Sequence, residues 1–295
     1  MRTDDVRWTD RLALGTAQFG LPYGISNVHG KVAPTEVGRI LDVAHAAGVM
    51  TLDTAAAYGD AETVLGAELR SRPAFEIVSK CPPGIQADRF IEALEGTLGR
   101  LRRPQIKACL AHRFDDFRDP SLRSCMVEAR ERCLIRQFGA SLYHPEEAQW
   151  ILDEDIAVDL VQLPFNVFDQ RLAPFLAPLK HRGVEIHVRS VFLQGLLLMD
   201  PGRLPEHFSG VRKRIELLQE LADEHALPMT AMLLQFAMAH PMIDRVVVGV
   251  TSVDELEAHL SACGEMHLPG VEVPRDRLEA FATTDEQVIL PTNWG

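Results

Sequence analysis

What this 295-residue chain lacks narrows what it can do. No run of five basic residues occurs, and acidic residues outnumber basic ones by 42 to 30, for a formal net charge of −12. That balance disfavours nucleic acid and anionic membrane as partners. No apolar stretch approaches the roughly 18 residues that a spanning helix needs. Met1-Arg2-Thr3-Asp4-Asp5 has none of the apolar core of a secretory leader, so a soluble cytoplasmic protein is expected. The cysteines, Cys81, Cys109, Cys125, Cys133 and Cys263, are odd in number and form no C-x-x-C pair. Free, mostly buried thiols in a reducing compartment follow. His29, His181, His187 and His240 show no metal-ligand spacing, and no metal is expected. No G-x-G-x-x-G turn follows the first apolar run. Open doubly wound dinucleotide-binding sheets usually carry one there.

What is present is alternation, without a linker or low-complexity segment. Short apolar runs lie at 12–14, 50–52, 75–79, 106–111, 135–139, 158–162, 184–188 and 245–248. Helix-patterned segments separate or follow them, at 35–47, 60–70, 87–101, 121–132, 145–153, 172–182, 211–225 and 252–260. Phe90, Ile91, Leu94, Leu98 and Leu101 show the helical logic, an apolar stripe on one face. Strands alternating with helices imply parallel pairing. Eight such units fit a closed (β/α)8 barrel, with residues 1–295 as a single domain. An open doubly wound sheet is the alternative. The segment 193–210 is long for a connection and is a candidate wall of the pocket. The segment 264–295 is also long, with one extra helix expected over 274–283, and reaches the same rim only by folding back.

On a barrel, residues just after the strands share one rim. That rim would collect Asp53 and Tyr58, Lys80, and His112 from three successive strand ends. A tyrosine ordinarily ionises at about pH 10. A nearby ammonium favours the phenolate and lowers that value, and a carboxylate holds the ammonium charged and in place. The imidazole can offer a donor to a substrate oxygen. Together these groups suit proton donation to a carbonyl being reduced. The chain has only three tyrosines, and one of them stands in this motif.

These residues resemble the aldo-keto reductase family. Asp53-Thr54-Ala55-Ala56-Ala57-Tyr58-Gly59 is similar to its D-T-A-x-x-Y-G signature, and Ser79-Lys80 and Leu110-Ala111-His112-Arg113 resemble its strand-end lysine and histidine. Gly139-Ala140-Ser141, Asp159-Leu160-Val161-Gln162 and Val247-Val248-Gly249 resemble later family segments in the right order. The likeness runs from about residue 12 to residue 260. It implies NAD(P)H-dependent reduction of an aldehyde or ketone. In that reading Tyr58 is the general acid, Lys80 depresses its pKa, Asp53 pairs with Lys80 and His112 orients the carbonyl.

The resemblance also implies a cofactor cradle of Gly15, Thr16, Ser141, Gln162, Arg189, Ser190, Gly249, Thr251, Ser252 and Glu255. Ser141 and Gln162 match positions that bind the nicotinamide carboxamide, although Leu142 stands where asparagine usually follows the serine. Arg189 stands where many members carry an aromatic residue, and it either stacks on the cofactor, as a planar guanidinium can, or pairs with a rim carboxylate. Free N–H groups at Gly249-Val250-Thr251-Ser252 suit a phosphate, while Ser252-Val253-Asp254-Glu255 also reads as a capping box. Asp254 and Glu255 stand where NADP-preferring relatives usually carry a basic residue, which leans the reading to NADH. Asn166 is either a rim residue or part of a loop turn, and Trp294 either folds over the pocket mouth or simply docks.

The partner is a small carbonyl compound. Gly15 to Asn27 resembles bacterial members associated with sugar and polysaccharide pathways, so a sugar carbonyl is expected. Two other functions fit a barrel. Lys80 could form a Schiff base as in barrel aldolases, which pairing with Asp53 opposes. Alternatively the barrel could hold its cofactor as a sensor without turnover, which the full tetrad opposes.

Overall fold

The computed structural model describes residues 8–72, 74–265 and 272–294. The N-terminal stretch 1–5 and part of the segment 264–295 therefore lie outside the described residues. The strands are β1 (Leu12–Gly15), β2 (Thr51–Asp53), β3 (Glu76–Lys80), β4 (Ile106–Ala111), β5 (Ile135–Ser141), β6 (Leu160–Pro164), β7 (Glu185–Arg189) and β8 (Arg245–Gly249). All neighbours are parallel, in chain order, and β8 closes on β1. This is the expected (β/α)8 barrel. Its strands read as nearly continuous apolar runs because helices cover the outside and side chains fill the inside.

The helices are α1 (Ala17–Gly20), α2 (Pro34–Ala47), α3 (Ala61–Glu68), α4 (Phe90–Leu101), α5 (Phe114–Arg118), α6 (Pro120–Glu131), α7 (Pro145–Asp153), α8 (Ala173–His181), α9 (Arg212–Glu224), α10 (Met229–Met238), α11 (Val253–Glu265), α12 (Arg275–Glu279) and α13 (Glu286–Ile289). On α4 the expected stripe faces inward, with Phe90, Leu94, Leu98 and Leu101 buried and Ile91 half-buried. α2 ends at Gly48 in the left-handed region, where glycine is free of a Cβ clash. Among the described residues, no helix is long and apolar enough to cross a membrane.

Two expectations need correction. α10 has no counterpart in the helix pattern, because Ala231 through Met238 are all buried and leave no polar face to set a period. β6 starts at Leu160 and runs to Pro164, two residues later than expected. The preceding Asp159 is spent on a cap, its carboxylate accepting from the Phe138 N–H at 3.0 Å. Gln162 consequently lies mid-strand, opposite Ser141 at the end of β5.

Alternation along the strands sorts side chains between two cores. Val78, Ala108, Leu110 and Leu160 form a small fully buried cluster of their own, separate from the large core of strand and helix side chains. Stepping two residues along the same strands gives Lys80, His112 and Gln162. The period of two thus carries these groups to the layer above the small cluster.

Candidate active site

A cavity of about 520 Å³ opens at the C-terminal ends of the strands. Asp53, Tyr58, Lys80 and His112 line it together, as do Gly15, Thr16, Ser141, Gln162, Arg189, Ser190, Gly249, Thr251 and Glu255. Of the residues assigned from the sequence to the tetrad and the cofactor cradle, Ser252 alone does not. It caps α11, its Oγ accepting from the Glu255 N–H at 3.2 Å.

At the floor, Lys80 Nζ donates to both carboxylate oxygens of Asp53 at 2.8 Å and to the Thr54 carbonyl at 3.2 Å. Lys80 is 1% exposed and Asp53 4%. A buried charge persists only when paired and hydrogen-bonded, and here each group is the other's partner. Gln162 Nε2 adds a third donor to Asp53, at 2.7 Å to Oδ1. Burial lowers the pKa of Lys80, but the charge and hydrogen bonds of Asp53 together with Tyr58 more than offset it and hold the pKa above the ordinary value. A protonated amine with its donors engaged is a poor Schiff-base nucleophile.

Tyr58 sits on a pinned loop. The Ala56 N–H donates to the Lys80 carbonyl at 3.0 Å, and Tyr58 N–H donates to the Ala55 carbonyl at 3.0 Å. Gly20 and Gly59 let α1 press on this turn. A Cβ on Gly20 would meet the Tyr58 carbonyl oxygen at 1.8 Å, and Gly59 has φ +55. The phenol ring stands edge-on to His112, with centroids 6.0 Å apart at 88°. Lys80 Nζ lies 5.2 Å from the centre of the Tyr58 ring.

The electrostatics differ from expectation at Tyr58. Burial raises its pKa, and that effect exceeds the opposing pull of Lys80, so the phenol lies above its ordinary value. The ammonium's own donors go to Asp53 and Thr54, and it acts on the tyrosine through space. His112 is pushed down to about 4 by burial and then by Lys80 and Arg189. It is therefore neutral at pH 7, and its buried Nδ1 has no protein partner. Cys81, next to Lys80, is pushed up to about 12 by burial and is an unreactive thiol at neutral pH.

The cradle residues divide. Ser141 Oγ and Gln162 Oε1 are buried without a hydrogen-bond partner. Because Gln162 Nε2 is committed to Asp53, its oxygen faces elsewhere as an acceptor. A hydroxyl and an amide oxygen with open valences fit a carboxamide, which brings both a donor and an acceptor. Thr16 instead serves the scaffold, its Oγ1 donating to the Asp53 carbonyl at 2.9 Å. Asn166 is likewise structural. Its Oδ1 accepts from the N–H groups of Phe168 and Asp169 at 2.9 Å, and its Nδ2 donates to the Ser190 carbonyl at 2.9 Å. Ser190 takes φ +63, which turns the chain away after β7. Arg189 stacks 4.2 Å over the Tyr143 ring and donates to the Leu142 carbonyl at 3.2 Å and Ser190 Oγ at 3.3 Å. No rim carboxylate pairs with it among the described residues.

At the β8 end, one of the N–H groups expected to be free for a phosphate, that of Thr251, is taken by a carboxylate, and so is the N–H of Val253 at the start of α11. Glu255 accepts from Thr251 N–H at 2.6 Å and from Thr251 Oγ1 at 2.9 Å. Glu36, from α2, accepts from Val253 N–H at 2.9 Å.

Several lining residues were not legible beforehand. Tyr23 and Tyr143 line the cavity, so all three tyrosines of the chain face it. Tyr143 lies two residues beyond Ser141, and extending the strand-end rule by that much would have found it. His259, buried and stacked 5.1 Å from Phe192, joins the wall from α11. From the segment 193–210, Gln194, Gly195 and Leu198 line the cavity. The C-terminal tail does fold back, bringing Pro291 and Thr292 to the wall, while Trp294 docks edge-on against Phe208 at 4.8 Å.

Comparison with known proteins gives the family and the fold. Residues 11–275 match the model of the Aldo/keto reductase family. The chain is 24% identical over 262 residues to the uncharacterized oxidoreductase YqkF of Bacillus subtilis, covering 79% of this chain and 84% of that protein. It is 22% identical over 275 residues to L-galactose dehydrogenase of Arabidopsis thaliana, covering 84% of each. The holo form of aldo-keto reductase AKR11C1 from Bacillus halodurans shares the fold, with a TM-score of 0.76, 22% identity, and coverage of 96% of this chain and 95% of that one. The chain belongs to the aldo/keto reductase family and is an NAD(P)-dependent oxidoreductase.

Proposed function

We propose that this protein reduces the carbonyl of an aldehyde or ketone, with Tyr58 as proton donor and NADH as the preferred cofactor. The observation that carries the reading is the buried Asp53–Lys80 pair beside Tyr58 and His112 at one end of the cavity. Bound NAD(P)H supplies hydride to the carbonyl carbon. Ser141 Oγ and Gln162 Oε1 are the groups that would hold its carboxamide. Neutral His112 is free to offer an N–H to the carbonyl oxygen. Tyr58, kept protonated at neutral pH by its raised pKa, then gives its proton to that oxygen, a much stronger base than the phenolate left behind. Lys80 stabilises that phenolate, and Asp53 keeps Lys80 charged. General-acid assistance of this kind contributes about 10²–10⁴-fold.

The preference for NADH rests on Glu36 and Glu255. Glu255 holds the Thr251 N–H just before α11, and Glu36 holds the Val253 N–H at its start. A 2′-phosphate brought close to them would be repelled by about 1 kcal/mol or more per close pair. A sugar carbonyl is the favoured substrate class. The polar groups along the wall support it, as does the similarity to an L-galactose dehydrogenase.

The test is consumption of NADH and NADPH against a panel of aldehydes, ketones and reducing sugars. Carbonyl-dependent oxidation, with the larger kcat/KM for NADH, is expected. Tight cofactor binding with no turnover on the whole panel would favour a sensor instead.

A further inference from the structure

Among the described residues Arg189 has no anionic partner, and it lies at the end of β7 in the cavity of an otherwise acidic protein. It lines that cavity with Tyr58 and His112, and both feel its charge. The buried carboxylate there, Asp53, is already neutralised by Lys80. Glu255, the other lining carboxylate, is engaged at the β8 end by Thr251. The contacts of Arg189 are a carbonyl, a hydroxyl and the face of Tyr143. None of these cancels its charge, so the inner end carries a surplus of one positive charge.

The location of that surplus matters. The Arg189 guanidinium donates to the carbonyl of Leu142, the residue after Ser141. In the β6–β7 ladder Arg189 is opposite Pro164, two residues beyond Gln162. Ser141 Oγ and Gln162 Oε1 are the two open valences assigned above to a carboxamide. A nicotinamide held by them has the guanidinium as a near neighbour. The reduced ring is uncharged, and the oxidised ring is a cation.

We infer that Arg189 makes this cavity selective for the redox state of its cofactor, binding the reduced nicotinamide more tightly than the oxidised one. The inference rests on the cofactor reading above and goes beyond it. Like charges on neighbouring, partly buried groups change a binding constant by about tenfold or more. The device favours loading of the reduced cofactor and release of the spent one. By linkage, each tenfold preference raises the midpoint potential of the bound two-electron couple by about 30 mV.

Calorimetric or fluorescence titration of the whole protein with NADH, NAD⁺, NADPH and NADP⁺ tests it without any substrate. At least a tenfold tighter Kd for the reduced form of the preferred nucleotide is expected. Arg189→Met should lower that ratio at least fivefold, mainly by improving the oxidised form, and Arg189→Lys should keep most of it. Equal affinities in the wild type, or a ratio unchanged in Arg189→Met, overturns the inference and leaves the cofactor reading standing. Failure of every nucleotide to bind overturns both.

Discussion

The two ends of the cavity are built on opposite electrostatic plans. At the inner end, Lys80 and Arg189 outnumber Asp53, and His112 is held neutral by burial first and then by the two cations. At the β8 end, Glu255 and Glu36 occupy N–H groups just before and at the start of α11. One group of charges sits at strand ends and the other on helices, and in the proposed reading the first stabilises developing negative charge while the second disfavours a 2′-phosphate.

The largest expected effect lies at the inner end. Lys80→Met leaves Asp53 buried without its ion partner, and breaking such a pair costs about 3–5 kcal/mol. Urea unfolding should register that loss, and the Asp53→Asn, Lys80→Met double variant should recover part of it. A loss below about 1 kcal/mol would mean that Asp53 is not a stranded charge.

Acid should act next. His112, His240 and His259 are each depressed to about 4 by burial. In the unfolded chain they titrate near 6.5. Between these values the unfolded state binds more protons, so the stability they confer is complete above pH 6.5 and is lost as pH falls toward 4. Thermal melts across that window should show Tm falling with pH. A flat Tm would place these imidazoles in water.

The smallest effect belongs to the β8 end. Glu255→Gln and Glu36→Gln keep an acceptor for Thr251 and Val253 but remove the charge. Each should shift the NADPH-to-NADH affinity ratio toward NADPH by about tenfold or less, up to about 1.4 kcal/mol. An unchanged ratio in both would show that cofactor choice is made elsewhere.

The inner end was legible in the sequence because strand ends on a barrel are a positional code. Asp53, Lys80, Ser141 and Arg189 each close a short apolar run, and the fold gathers them without further information. The β8 end was legible only in part. Glu255 belongs to a recognisable capping pattern, but Glu36 arrives from α2, 217 residues away from Val253, and no local pattern announces that contact. Burial was also hidden. The sign of the Lys80 effect on Tyr58 follows from charge alone, whereas the larger, opposite effect of desolvation depends on the loops that enclose the phenol. Tyr23, His259 and Pro291 come from segments whose path over the rim is set by tertiary packing.

The central claim is that the Tyr58 hydroxyl supplies the proton. Single-turnover reduction of a carbonyl from the panel by the NADH-loaded Tyr58→Phe variant tests it most directly. The rate should fall by about 10²–10⁴-fold while the Kd for NADH stays within about twofold of wild type. A full rate with phenylalanine at this position would contradict the assignment.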